Sequence, residues 1–246
     1  MHATEFMEQL ERDIHAHPFL TRNPLVRSLG AGTPLSREQG RRFALYYYPH
    51  IMRTRLYQAN ALGIAGDERV QYVLAMILYD EYGEGNRDAA HPEVYRRFMR
   101  AAGVSEAAIQ SGGVILPELE LYISQMMRLS QLGDWLAAAA CVGIACEWPI
   151  PEMYRRFLVG LRTLPGINEA DLELFTGHIV LDEDHSAMMR EALMPYAETA
   201  DGQTRIREGV RVNLDARHVF MTGLHRAVFE EEEQDAGVSE GLIRTA

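Results

Sequence analysis

Lysine is missing altogether: the 24 basic side chains of this 246-residue chain are all arginine. The chain therefore has no lysine to form a Schiff base with pyridoxal phosphate or a carbonyl substrate, and none to complete a phosphate-binding P-loop. Cysteine is nearly as scarce. Cys141 and Cys146 alone make neither a zinc cluster nor a disulfide scaffold, and such sparing use of cysteine points to a reducing compartment. Long apolar runs are lacking too. The longest, "WLAAAACVGIAC", is too short for a bilayer and is closed by Glu147. The N-terminal "MHATEFMEQLERD" is amphipathic and acidic, without the apolar centre of a secretory signal. Acidic residues outnumber basic ones, 35 against 24, for a net charge of −11. A field of that sign repels nucleic acid and anionic membranes. These exclusions predict a soluble, cytoplasmic protein that binds neither nucleic acid nor membrane.

What is present reads as helix. With 47 % hydrophobic and 24 % charged residues the composition is globular rather than disordered. Apolar residues recur at helical spacing, and no alternating strand pattern stands out. The spacing predicts helices over about 3–16, 36–64, 67–83, 91–102, 104–111, 115–131, 134–162, 168–197 and 203–233. Ser36 with Gln39 three residues on forms a capping box. Asn168 likewise precedes an acidic first turn, "NEAD". Pro149 and Pro151 fall inside the 134–162 pattern and predict a kink just after Glu147, and Pro165-Gly166 ends it. No repeat, low-complexity linker or charge break divides the chain. The expectation is one all-α domain over residues 1–246, of about seven to nine helices. The run Glu230 to Glu233 reads as a solvated helix end, followed by a tail over about 234–246.

Two stretches carry potential chemistry. His178, Asp182 and His185 form an H-x3-D-x2-H run; at about 100° per residue these positions fall within about 60° of one another on a helix. Phe175, Ile179, Leu181, Met188 and Met189 around them are apolar, so the stripe is expected to be buried. An unpaired interior carboxylate costs several kcal/mol. A salt-bridged helix face meets that requirement; so does a divalent metal. Glu147 is the sole charge after Asp134 in "DWLAAAACVGIACEWPIP", which makes it a further ligand candidate. The second stretch, "DEYGEGNRDAAHP", begins at Asp80 and offers Glu81, Glu84 and His91. Glu84 and His91 would share a face of an unbroken helix, but Gly83 and Gly85 disfavour one and Pro92 suits the first turn of a new helix. Glu81 closes the apolar run "VLAMILYDE" and can point inward. Spacing leaves Glu81 and Glu84 both open. Carboxylates and histidines from several helices facing a bundle core are the composition of di-iron carboxylate sites. Oxygen and imidazole donors without thiolate suit iron or manganese better than structural zinc.

With these residues in view, the sequence resembles the haem-oxygenase-like di-iron oxidases and oxygenases, relatives of pyrroloquinoline-quinone synthase and thiaminase II. The resemblance runs over most of the chain, through "LSREQGRRFALYYYPHI", "LYDEYGEGNRDAAHPEVYRRFMRAAGV", "ACEWPIPEMYRRFLVGL" and "FTGHIVLDEDHSAMMREAL". It implies a haem-oxygenase-like helical bundle. It also implies a catalytic metal site of Glu81, His91, Glu147, His178, Asp182 and His185, which leaves Asp80, Glu84 and Asp88 as turn residues. The implied cofactors are two Fe(II)/Fe(III) ions with O2 as co-substrate, an external electron donor and a homodimeric assembly. Some relatives use an extra carboxylate from the preceding core helix, and residues 42–66 contain none. The resemblance therefore favours desaturation, C–C cleavage or oxygen insertion on a small amino-acid-like or amine substrate in specialised metabolism. N-oxygenation, fatty-acid decarboxylation, and metal-free chemistry of the quinone-synthase or thiaminase kind are the alternatives. The same helix carries Tyr46, Tyr47, Tyr48, His50, Arg53 and Arg55. The tyrosines read mainly as packing, and an arginine there could hold a substrate carboxylate. His218 and His225 read as structural or exposed, and Cys141 and Cys146 as small buried residues.

Overall fold

Prolines and caps set many of the helix boundaries. The computed structural model describes residues 1–230, apart from the side chains of Leu132 and of residues 180–183. The expected tail lies outside the described residues. The helices are α1 (Ala3–Ala16), α2 (Pro18–Thr21), α3 (Pro24–Gly30), α4 (Arg37–Ile64), α5 (Glu68–Glu81), α6 (His91–Ala101), α7 (Glu106–Gln110), α8 (Pro117–Leu132), α9 (Trp135–Gly143), α10 (Ile150–Leu161), α11 (Glu173–Ala197) and α12 (Ala200–Phe229). Two 3-10 turns, Arg87–Ala89 and Glu169–Leu172, join them. Among the described residues there is no strand, as the periodicity predicts.

The twelve helices among the described residues exceed the expected number for local reasons. The short α2 and α3 each start with a proline, behind caps from His17 and Asn23. The 134–162 pattern is not one kinked helix but two. Pro149 and Pro151 lack N–H groups, and their rings would crowd the carbonyls of Ala145 and Glu147 in a continuous helix. Residues 144–149 therefore run as turns, and α10 restarts with Pro151 in its first turn. α11 also starts later than expected, at Glu173, because Asn168 and Asp171 cap the preceding 3-10 turn instead. The capping box of Ser36 and Gln39 opens α4 as the sequence suggests.

Pro49 shows the opposite outcome, since α4 continues through it. The proline removes the donor that Leu45 O would have used, and the N–H of Val114 takes its place at 3.4 Å. Close approach there requires Gly113: its φ is +81°, and a Cβ would lie 2.6 Å from Leu45 O.

Helices α4, α5, α6 and α11 pack around one side of the centre, with α12 against α4, α8 and α9, and α10 against α3 and α11. Asp67 caps α5 and also accepts the hydroxyl of Tyr196 from α11 at 2.6 Å, tying the start of one helix to the end of the other. Aromatic rings fill the middle. Tyr47 stacks between Phe43 (5.4 Å) and Phe220 (6.0 Å), and such pairs add about 0.5–1.5 kcal/mol beyond their buried area. His218 and His225 bond to Asn23 and Ser28 on the α2–α3 side, and both cysteines are buried and free, as their structural reading anticipates. No described helix is long and apolar enough to cross a membrane.

The α9–α12 contact depends on Gly209, where an added Cβ would sit 2.0 Å from Ala137 O. Gly209→Ala should lower stability by about 1–3 kcal/mol through forced separation of the helices. Gly63→Ala, in an open helical position, should be neutral or stabilising by up to about 1 kcal/mol. Denaturant midpoints of the two variants check this; equal midpoints would refute the close packing.

Candidate metal centre

The connector between α5 and α6 brings Glu81 and His91 together. Gly83, Glu84 and Gly85 all have left-handed φ values, 79°, 52° and 87°. At Gly83 a Cβ would fall 2.3 Å from Asn86 O, so only glycine fits there. The N–H of Glu84 bonds Tyr79 O (3.0 Å) and that of Gly83 bonds Asp80 O (2.7 Å), closing α5 immediately after Glu81. Pro92 then sits in the first turn of α6, directly behind His91. The outcome is a buried Glu81 carboxylate whose Oε2 lies 3.0 Å from His91 Nδ1. Glu84 is exposed and takes no part.

His178 arrives from α11, its ring 4.4 Å from that of His91. Ligand atoms of Glu81, His91 and His178 all lie within 4.8 Å of one another. His178 Nδ1 is 2.6 Å from Leu174 O. A carbonyl only accepts, so Nδ1 carries the proton and Nε2 keeps its lone pair. Burial, reinforced by the charge of His91, pushes the His178 pKa down to about 4. At Glu81 burial opposes ionisation, but the charge and hydrogen bond of His91 outweigh it and hold the carboxyl below its ordinary value. His91 is correspondingly raised, Glu81 prevailing over burial.

A second group lies alongside. His185 Nε2 meets Asp80 Oδ2 at 3.1 Å, and its Nδ1 is 3.9 Å from Glu147 Oε2. Glu147 is buried within the turns at 144–149 rather than on a helix. Burial works against a charged His185, yet the two carboxylates raise its pKa to about 10. Asp80 is therefore more than a turn residue, which corrects the sequence expectation. Its position just before Glu81 is not the signal; its pairing across to α11 is. Asp182 belongs to α11, but its side chain lies outside those described.

Glu81, His91, Glu147 and His178 line one inner cavity of about 40 Å³, together with Thr54 and Arg217. His91 and His178 also border an outer depression of about 190 Å³ beside Gly83 and Glu173. The arginines expected to serve a substrate do not line the inner cavity. Arg53 donates to Pro49 O at 3.3 Å, and Arg55 lies over the Tyr82 ring at 5.0 Å. Arg217 takes that place. The sequence does hold a signal for it: Arg217 falls on the helical stripe of Leu214, Phe220, Met221 and Leu224, all buried.

A family model described as an iron-containing redox enzyme matches residues 41–218. The chain belongs to that family. The matched span includes both groups of carboxylates and histidines. Among solved structures, the chain is similar to a TenA homologue from Pseudomonas syringae pv. tomato (TM-score 0.70, 16% identity, 92% of this chain and 96% of that one). It is also similar to a haem-oxygenase-like domain of unknown function from Shewanella denitrificans (0.66, 15%, 92% and 92%). A third is a CADD-like protein of unknown function from Nostoc punctiforme (0.64, 18%, 92% and 98%). These likenesses show the haem-oxygenase-like fold. No curated protein matches the sequence. Iron is the metal that the family implies, and the residues fit it. One carboxylate and two imidazoles converge without a thiolate, and one imidazole is held neutral with its lone pair free.

Because folding raises the pKa of His185, its pairing stabilises the metal-free protein fully below the unfolded value of about 6.5 and is lost as pH climbs through about 10. Ring 15N NMR of the metal-free protein should show His178 neutral and protonated at Nδ1 from neutral pH down to about 4. It should show His185 cationic up to about pH 10. Asp80→Asn should lower the His185 midpoint; an unchanged midpoint would refute the pairing.

Proposed function

We propose that the protein is an O2-dependent non-haem di-iron oxidase or oxygenase acting on a small amino-acid-like or amine substrate by desaturation, C–C cleavage or oxygen insertion. The observation that carries this reading is the convergence of Glu81, His91 and His178, from three different helices, within 4.8 Å. Glu147 and His185 stand beside them, and Asp182 joins the proposed set of six by its place in the H-x3-D-x2-H run. Bound iron would supply electrons for O2 reduction and the oxidising power to attack the substrate.

The chain's own residues supply the rest. Leu174 O fixes the His178 tautomer, so that ring needs no proton rearrangement before acting as a ligand. Asp80 holds a proton on His185 Nε2 through their 3.1 Å contact, and that proton must leave before Nε2 can bind a metal. Tyr154 packs edge-on against His178 (5.6 Å) and shares a hydrogen bond with Tyr47 (3.2 Å). With Phe175 against Tyr154 at 5.1 Å, this wall covers one side of the imidazole, whose other side borders the outer depression. On the α4 side the cavity is lined by His50, Ile51, Thr54 and Tyr57. The absence of a carboxylate in that set favours six ligands over a seventh-carboxylate N-oxygenase arrangement.

Anaerobic loading with Fe(II) followed by elemental analysis tests the proposal. Wild-type protein should retain about two iron ions per chain and consume O2 when exposed to it. Glu81→Ala and His178→Ala should each weaken iron retention by at least about tenfold. A folded wild-type protein that takes up no iron would overturn the reading in favour of metal-free chemistry.

A further inference from the structure

The wall of the inner cavity contains a buried cation that no described side chain neutralises. Arg217 is 2% exposed. Its Nη2 donates to the Tyr122 hydroxyl at 3.1 Å, while Nε and Nη1 have no hydrogen-bond partner. The rings of Phe19 and Tyr122 lie 5.6 and 5.8 Å from the guanidinium carbon; their faces attract the cation but accept no hydrogen bond from its free Nε and Nη1 donors. The cavity's carboxylates are engaged elsewhere: Glu81 with His91 at 3.0 Å, and Glu147 towards His185 at 3.9 Å. A guanidinium cannot shed its proton to escape the penalty, and a buried ion without a partner is strongly disfavoured.

We propose that Arg217 anchors the carboxylate of the substrate, so that this cavity takes carboxylic or amino acids in preference to simple amines. The inference rests on the reading of this cavity as the oxidase's substrate site, and narrows its substrate class. Size supports a carboxylate over other anions. About 40 Å³ holds about three water-sized groups, which suits a flat carboxylate and is tight for tetrahedral sulfate or phosphate. Planar, charge-assisted N–H donors are the best match for such a group. Glu81, His91 and His178 line the same cavity, so a carboxylate held there lies beside the proposed iron ligands.

The test uses metal-free wild-type protein and acetate as the probe, read by thermal shift and by the arginine side-chain N–H signals in 1H–15N spectra. Acetate should raise Tm saturably and move the Arg217 Nε–H signal, whereas methylamine and sulfate at matched ionic strength should do neither. Arg217→Gln should abolish the acetate response, and Arg217→Lys should restore part of it. An equal acetate response in Arg217→Gln and wild type would overturn the proposal, as would sulfate moving the Arg217 signal as acetate does. Should Arg217→Gln fail to fold, the wild-type signal decides alone: movement sustains the anchor and an unmoved signal refutes it. Because no metal is present, a negative result leaves the iron-enzyme reading standing. Failure of iron loading, conversely, leaves the acetate result intact.

Discussion

A carboxylate enclosed by packed helices must find a cation or a proton within reach, and the centre of this molecule is arranged around that requirement. Burial alone would push Glu81 towards its neutral form; His91 at 3.0 Å reverses this. Asp80 and Glu147 meet the same need through His185. In the metal-free chain the acids and imidazoles therefore neutralise one another, and a cation that enters competes with protons for the same lone pairs. Among the described residues, Arg217 is the charge left over from this internal balance.

The helical frame makes the balance geometrically possible. Three chain reversals matter: the glycine-rich connector after Glu81, the proline-enforced turns that carry Glu147, and the late start of α11 that sets the register of His178. The first two place a carboxylate where an apolar helix gives way to turns, whereas His178 lies in the second turn of α11. Interior aromatics, notably Tyr47, Tyr154 and Phe175, then fill the space that water would otherwise occupy.

Much of this could be read from residue order. Helical periodicity and the lack of alternating patterns led to an all-α bundle. The H-x3-D-x2-H spacing and the resemblance it supports led to Glu81, His91 and His178, which the fold brings together. Long-range pairing was not legible. Asp80 reads as one acid among several in a turn, because nothing local reveals that His185 faces it from α11. Arg53 and Arg55 drew attention by sitting near the tyrosines of α4, whereas Arg217 is hidden more than a hundred residues further on. Its place on an apolar stripe is a signal only when a buried charge is treated as an anomaly to be explained. The sequence predicts a bend just after Glu147 where the chain in fact breaks into turns, because two prolines in close succession remove two donors rather than one.

The connector between Glu81 and His91 has a consequence for how this sequence can change over time. Its successive left-handed residues, the 2.3 Å approach at Gly83 and the direct entry into α6 leave no slack in chain length. Adding or removing a single residue within α6 ahead of its packed face would turn that face by about 100°. In the connector itself it would displace the imidazole from the carboxylate it neutralises. Exposed Glu84 and Asp88 are free to vary in chemistry. The number of positions between the two ligands is not, so insertions and deletions should be absent here even where side chains drift.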